Sequence, residues 1–265
     1  MYSQSQIRPG ERLAALEASQ LQVHQLVKHR AVVHAGVKLS VLTTRIHRGR
    51  QVIEQGVVEG SSDESLVEHA RVHAREAGAD AVAVIGPPYF KLDAREQRAH
   101  LIAAARACAP LPFYVYQFAA TAGYAFDPSM LARLREEADN VTGMKVSDTP
   151  WTAFERYLLD GFDIFVGPEA LIHRGREAGA VGAVSALASA FPEEVAAVVR
   201  EPTEEGAAGL AALRATLESF PRHAALKRVA AWKGVPLRPD VRPPLRDLDE
   251  TEVAELEAWL AAGSS

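Results

Sequence analysis

The sequence predicts an α/β protein, a (β/α)8 TIM barrel with a C-terminal helical extension, and three observations carry that expectation. From about Gly56 onward, short β-branched apolar runs alternate with longer alanine- and charge-rich stretches of helical period, which is the signature of repeated βα units. No Gly-x-Gly-x-x-Gly turn follows any of these runs, so a doubly wound dinucleotide-binding fold loses its main support. After the last run only helical stretches follow, which read as an appendage and not as a second α/β domain.

The elements follow in order. Residues 1–55 differ in kind: they hold seven of the nine glutamines and four of the nine histidines (His24, His29, His34, His47), but no aspartate, phenylalanine or tryptophan. Leu13 to Val27 has the spacing of an amphipathic helix and Ala31 to Thr44 has β-branched runs, yet no two clean βα units emerge. The barrel is therefore expected to be incomplete at the N-terminus, with this segment poorly ordered or laid as a helix across the gap. Residues 56–200 are read as the barrel units and 201–265 as the helical extension. Strands are predicted at Ile53 to Val58, Ala81 to Ile85, Pro112 to Phe118, Val141 to Val146, Asp163 to Val166 and Val181 to Ser185. All but the first are short apolar runs, as parallel strands covered on both faces should be. Helix starts are legible at Ser61-Ser62-Asp63-Glu64, at Asp93 with Glu96 three residues on, at Asp127-Pro128, and at the run Ser147-Asp148-Thr149-Pro150. The extension shows helices at about Glu193 to Arg200, Glu204 to Glu218 and Arg222 to Lys233, then a closing helix to about Leu260.

Composition removes several function classes. The net charge of -5, from 29 basic and 34 acidic residues, comes with no basic run, so nucleic-acid binding is not expected. The single cysteine, Cys108, reads as a small buried hydrophobe and fits a reducing cytoplasm. No stretch of some 18 uninterrupted apolar residues predicts a membrane span. The four early histidines lack metal-ligand spacing, and neither metal nor cofactor is expected.

Parallel barrels carry their chemistry at the C-terminal ends of the strands, and "NVTGMKVSDT" (140–149) puts Lys145 at such an end. A lysine there either snorkels out of an exposed strand end or sits in an apolar pocket as a neutral amine able to condense with a ketone. The preceding strand, in "LPFYVYQFAATAG" (111–123), ends with Tyr116 in the matching place, where a phenol can relay protons. Tyr114 and Phe113 read as packing residues.

With "GADAVAVIGPPYF" (78–90), "FVGPEAL" (165–171), "GAVGAVSALASAFPE" (179–193) and the tail "ALKRVAAWKGVPLRPDVRPPLRDL" (225–248), these segments make the chain resemble the dihydrodipicolinate synthase/N-acetylneuraminate lyase family of Schiff-base aldolases over about 210 of its 265 residues. The resemblance implies a lyase, aldolase or dehydratase acting on 2-oxo acids such as pyruvate adducts. It makes Lys145 the Schiff-base lysine and Tyr116 the proton-relay tyrosine, and places Ser147, Gly167, Glu169 and Val184 around the substrate. It also implies homodimers or homotetramers, with the regions Ala81 to Phe90 and Ala119 to Gly123 as contacts. The family's Gly-Thr-Thr-Gly-Glu-like loop is not found before Gly56, where only the dipeptide Thr43-Thr44 stands. An "AATAG" run replaces the arginine that synthases place after the relay tyrosine, and Glu169 is followed by Ala170 where sialic acid lyases have an acidic pair. A catalytically silent member with a partial barrel is the competing reading, and a phosphate-binding isomerase would need more glycines near "GPEAL" and "GAVGAVS" than the chain has.

Overall fold

The computed structural model describes residues 81–88 and 91–263 with their side chains, and the backbone of four short strands before them. These are β1 (Val32–Val33), β2 (Leu39–Val41), β3 (Thr44–His47) and β4 (Arg50–Ile53). The later strands are β5 (Ala81–Ile85), β6 (Phe113–Gln117), β7 (Val141–Val146), β8 (Asp163–Val166) and β9 (Gly182–Val184). One seven-stranded sheet has the order β1-β9-β8-β7-β6-β5-β2, and β3 and β4 pair apart as an antiparallel ribbon. From β2 to β9 every pairing in the large sheet is parallel.

Two of the helices between these strands begin at caps legible in the sequence, Asp93 and Asp127. Helix α1 (Ala94–Cys108) begins at Asp93, whose carboxylate accepts from the amides of Arg95 and Glu96 at 2.8 and 2.9 Å, while Glu96 receives the Asp93 amide at 2.7 Å. Its buried stripe, Leu101, Ile102, Ala105 and Cys108, has the three-and-four spacing of a helix face laid on a sheet. After β6 come the single turn α2 (Ala119–Ala122) and α3 (Pro128–Leu134), with Asp127 as cap and proline in first place. Short α4 (Trp151–Phe154) and α5 (Ile172–Glu177) follow β7 and β8. Beyond β9 lie α6 (Pro192–Arg200), α7 (Glu204–Glu218), α8 (Arg222–Trp232) and α9 (Glu250–Ala262).

Strand side chains divide between two cores. Val82, Phe113, Val115, Met144, Val146, Ile164 and Val166 face the helices in one large cluster. Ala81, Ala83, Tyr114, Phe165 and Val184 form a second, on the opposite face of the sheet. Two packed faces are what a parallel sheet requires. Alternation breaks once in β7: Val141 and Met144, three residues apart, both face the helices. The β6–β7 register shifts at this point, pairing Phe113 with Val141 but Tyr114 with Gly143. The extra residue is Thr142, as in a β-bulge. Beyond it, Tyr116 pairs with Lys145 on the inner side.

The N-terminal segment was expected not to supply the two strands that would close the barrel; it contributes one short strand to each end of the sheet, β2 beside β5 and β1 beside β9. Only β2 is parallel, because β1 runs against β9 with Val32 opposite Val184. Mixed edges of this kind are common in large sheets. The run at 147–150 does not cap α4 with a side chain; Pro150 is the residue before that helix, and Asp148 has other partners. The predicted strand from Ile53 survives only as the last residue of β4, and residues 54–58, the start at 61–64, the helix at 13–27 and Phe90 lie outside the described residues.

Gly143 has a specific reason to be glycine: a Cβ there would lie 2.0 Å from the Asp163 carbonyl oxygen, on the neighbouring strand. Gly143→Ala should therefore cost about 1–3 kcal/mol or more, as overpacking does. Gly209, inside α7 with open space around it, gives the contrast, since Gly209→Ala should stabilise by about 0.5–1 kcal/mol. Urea denaturation of both variants checks this pair, and a Gly143→Ala protein as stable as the parent would contradict the close strand approach.

Candidate active site

The site is built where three parallel strands end side by side. β6 presents Tyr116, β7 presents Lys145, and the chain leaving β8 presents Gly167 and then Glu169 on a short 3-10 turn, Glu169–Leu171. Lys145 is 6 % exposed. Its Nζ lies 3.7 Å from the centre of the Tyr116 ring and donates to Ser147 Oγ. Ser147 Oγ is in turn 3.5 Å from the Tyr116 hydroxyl. The strand-edge alternative is thereby excluded: the amine points into protein, beside an aromatic face and a hydroxyl.

Burial dominates the electrostatics. Losing its hydration draws the Lys145 pKa down from an ordinary 10.5 to about 7. Glu169 and Asp148 oppose that shift and Arg214 reinforces it. Burial also raises the Tyr116 phenol above its usual range, against smaller pulls from Ser147 and Arg222. The phenol thus keeps its proton at neutral pH, and the amine is free of its own in about half of the molecules at pH 7.

Gly167 creates room for this contact, since a Cβ there would stand 2.3 Å from Ser147 Oγ. Its amide meanwhile donates to the Val146 carbonyl at 2.7 Å, tying the β8 exit to β7. Glu169 is 3 % exposed, receives the Ser185 hydroxyl and accepts from Arg214 Nη1 at 3.1 and 3.3 Å. Val184 joins the inner apolar cluster with Ala81, Ala83, Tyr114 and Phe165, and not the polar contacts around the amine. The structure therefore brings Lys145, Tyr116, Ser147 and Gly167 into one group, sets Glu169 in electrostatic range, and leaves Val184 as lining.

Sequence reading missed four polar residues of this region. Asp148 accepts from Gln117 Nε2 at 2.7 Å and from the Ala119 amide at 2.8 Å, and Gln117 Oε1 accepts from the Phe126 amide at 3.0 Å. This web fixes the turn after β7 to the turn after β6, on the helix side of Lys145 and Tyr116. The glutamine interrupting the aromatic run 113–118 was the available signal. Ser185 and Arg214 carried none, because their partner Glu169 lies 16 and 45 residues away. Among the described residues no group of three or more His, Cys, Asp or Glu gathers as a metal site would.

The profile of the Dihydrodipicolinate synthetase family matches residues 35–263. The chain is 33% identical over 215 residues to an uncharacterised DapA-like lyase of Halobacterium salinarum, covering 77% of this chain and 69% of that one. It is 30% identical over 184 residues to the 4-hydroxy-tetrahydrodipicolinate synthase of Thermus thermophilus, covering 65% of this chain and 60% of the other. Among solved structures, the 4-hydroxy-tetrahydrodipicolinate synthase of Methylacidiphilum fumariolicum superposes with a TM-score of 0.65 at 25% identity, over 76% of this chain and 69% of that one.

A buried amine leaves a trace in stability. The unfolded chain holds the Lys145 proton up to about 10.5, the folded chain only to about 7. Between those values the unfolded state binds more protons, so stability contributed through this group rises with pH. Lys145→Met should be more stable than the parent at pH 7, by a margin that shrinks by about 1.4 kcal/mol per pH unit towards pH 10. Denaturation of both proteins across that range checks it; parallel curves would mean the folded amine is normally charged.

Proposed function

The chain belongs to the dihydrodipicolinate synthetase family, and from that membership we propose that it is a class I lyase or aldolase that cleaves or forms adducts of a 2-oxo acid through an imine on Lys145. One observation carries the reading: a buried amine stands against a phenol at the C-terminal end of a parallel strand, where burial draws its pKa down to about 7. Desolvation is the usual way to make a lysine nucleophilic at pH 7.

The neutral Nζ of Lys145 adds to the C2 carbonyl of the 2-oxo acid, giving a carbinolamine. Tyr116, protonated because it is buried, supplies the proton with which the C2 hydroxyl leaves as water. The cationic imine then draws electrons from the C3–C4 bond of an aldol adduct. As that bond breaks, the C4 hydroxyl becomes an aldehyde and yields its proton to the phenolate. The enamine left on Lys145 is protonated at C3, and water releases the 2-oxo acid and restores the free amine. Ser147, between Nζ and the phenol, carries the proton between them. Gly167 keeps that hydroxyl in place, while Glu169 and Val184 line the substrate's path.

Support for an aldolase-type lyase comes from the family as a whole, whereas pyruvate as the 2-oxo acid is our extension from it. We extend likewise to assembly as homodimers or homotetramers and to a cytoplasmic enzyme without cofactor.

Borohydride reduction with pyruvate, followed by intact mass and peptide mapping, tests the chemistry. The expected product is one reduced pyruvyl adduct on Lys145, with Lys145→Met unlabelled. Tyr116→Phe should still form the adduct but lose about 10²- to 10⁴-fold in turnover of a cleavable aldol, the usual contribution of a positioned acid–base group. A folded parent protein that forms no adduct would point instead to the catalytically silent reading.

A further inference from the structure

The ion pair on Glu169 belongs to a longer chain of charges. Glu169 accepts from Arg214 at 3.1 and 3.3 Å, Arg214 Nε donates to Glu218 at 2.6 Å, and Arg222 Nη1 donates to the same Glu218 oxygen at 3.5 Å. Glu169 acts on Lys145, and Arg222 acts on Tyr116. Alternating charges on the turn after β8, on α7 and at the start of α8 therefore link the surroundings of the two central side chains. A carboxylate as buried as Glu169 is unfavourable without a cation. Lys145 lies within electrostatic range of Glu169, and an opposite charge nearby favours the protonated form of an amine.

We propose that Arg214 is a positioning residue of the site: by pairing with both oxygens of Glu169 it holds that carboxylate against Ser185 and offsets its charge at Lys145, so that the amine stays available as a nucleophile. The helical extension is then part of the catalytic apparatus and not only a cover for the barrel. This rests on Lys145 being the imine-forming lysine. The groups facing that amine are Tyr116 from β6, Ser147 and Asp148 from the turn after β7, Glu169 from the turn after β8, and Arg214 from α7. Asp148 is already committed to Gln117 Nε2 and the Ala119 amide, and Ser185, after β9, reaches the amine only through Glu169. Arg214 is thus the cation that pairs with Glu169 and opposes its pull on Lys145.

The test is trace acetylation of the full chain with acetic anhydride from pH 5 to 11, reading the labelling of Lys145 by peptide mapping, which needs no substrate. The parent should show a midpoint near 7. Arg214→Met should move it up by about one pH unit or more, leaving roughly a tenth of the amine neutral at pH 7 instead of about half. Arg214→Lys, which keeps the charge, should restore most of the parent midpoint. Glu169→Gln, which keeps one acceptor oxygen for Ser185 and Arg214 but removes the negative charge, should move the midpoint down, and this arm decides the matter if Arg214→Met does not fold. Midpoints unchanged in Glu169→Gln and in whichever Arg214 variants fold would overturn the proposal and leave the ion pair a purely structural one. Pyruvate trapping on the parent, run beside these, separates the two ideas: a missing adduct sinks the imine chemistry, while the midpoints still judge Arg214.

Discussion

Which face of β7 carries Lys145 is decided at Thr142 and Gly143. A regular strand in register with β6 from Phe113 and Val141 would set Tyr116 beside Met144. The extra residue at Thr142 moves the register by one, so that Tyr116 meets Lys145 while Met144 and Val146 keep their places in the helix-side core. A slip of one residue exchanges the two faces of a strand, and here it exchanges a methionine for an amine beside the phenol. Gly143 makes the slip tolerable, because β8 approaches so closely that the Asp163 carbonyl occupies the space of a side chain. The bulge, the glycine and the lysine act as one device.

Around that device, the structure spends its buried polar groups on holding two turns. Asp148 and Gln117 lock the turns after β7 and β6 to each other, and Gly167 ties the exit of β8 to Val146. The result is an amine with one hydroxyl partner and an aromatic face in place of water. Such a cation is costly to keep charged, which is why burial leads the list of effects on its proton affinity. The lowered proton affinity of the amine and its cost to stability are the same fact seen from two sides.

Much of the frame was legible beforehand. The strands at 81–85, 141–146 and 163–166 were read to the residue, because each is a short apolar run bounded by turn residues, and Asp93 and Asp127 announced their helices through side chains that cap. Lys145 and Tyr116 were legible as a pair for the same local reason, each being a polar end on an apolar strand. What escaped was non-local. The bulge depends on how β7 sits against β6 and β8, and a six-residue run with a glycine in it shows no period that would reveal one. Asp148 looked like a helix cap because Ser-Asp-Thr-Pro is a capping sequence; its carboxylate instead found Gln117, 31 residues back. Arg214 lies on a helix whose pattern is otherwise that of any packed amphipathic element, and only the fold brings it to Glu169. The short strands at 32–33 and 39–41 were obscured by a glutamine- and histidine-rich composition unlike that of the other units.

On our proposal Lys145 is a buried nucleophile and not a buried structural cation. A crystal structure of the protein soaked in pyruvate and reduced with borohydride tests it most directly. Continuous density is expected from Lys145 Nζ to C2 of the pyruvyl group, with the Tyr116 hydroxyl within hydrogen-bonding distance of the new bond. Density showing Lys145 unmodified, still donating to Ser147, in crystals saturated with pyruvate would contradict it.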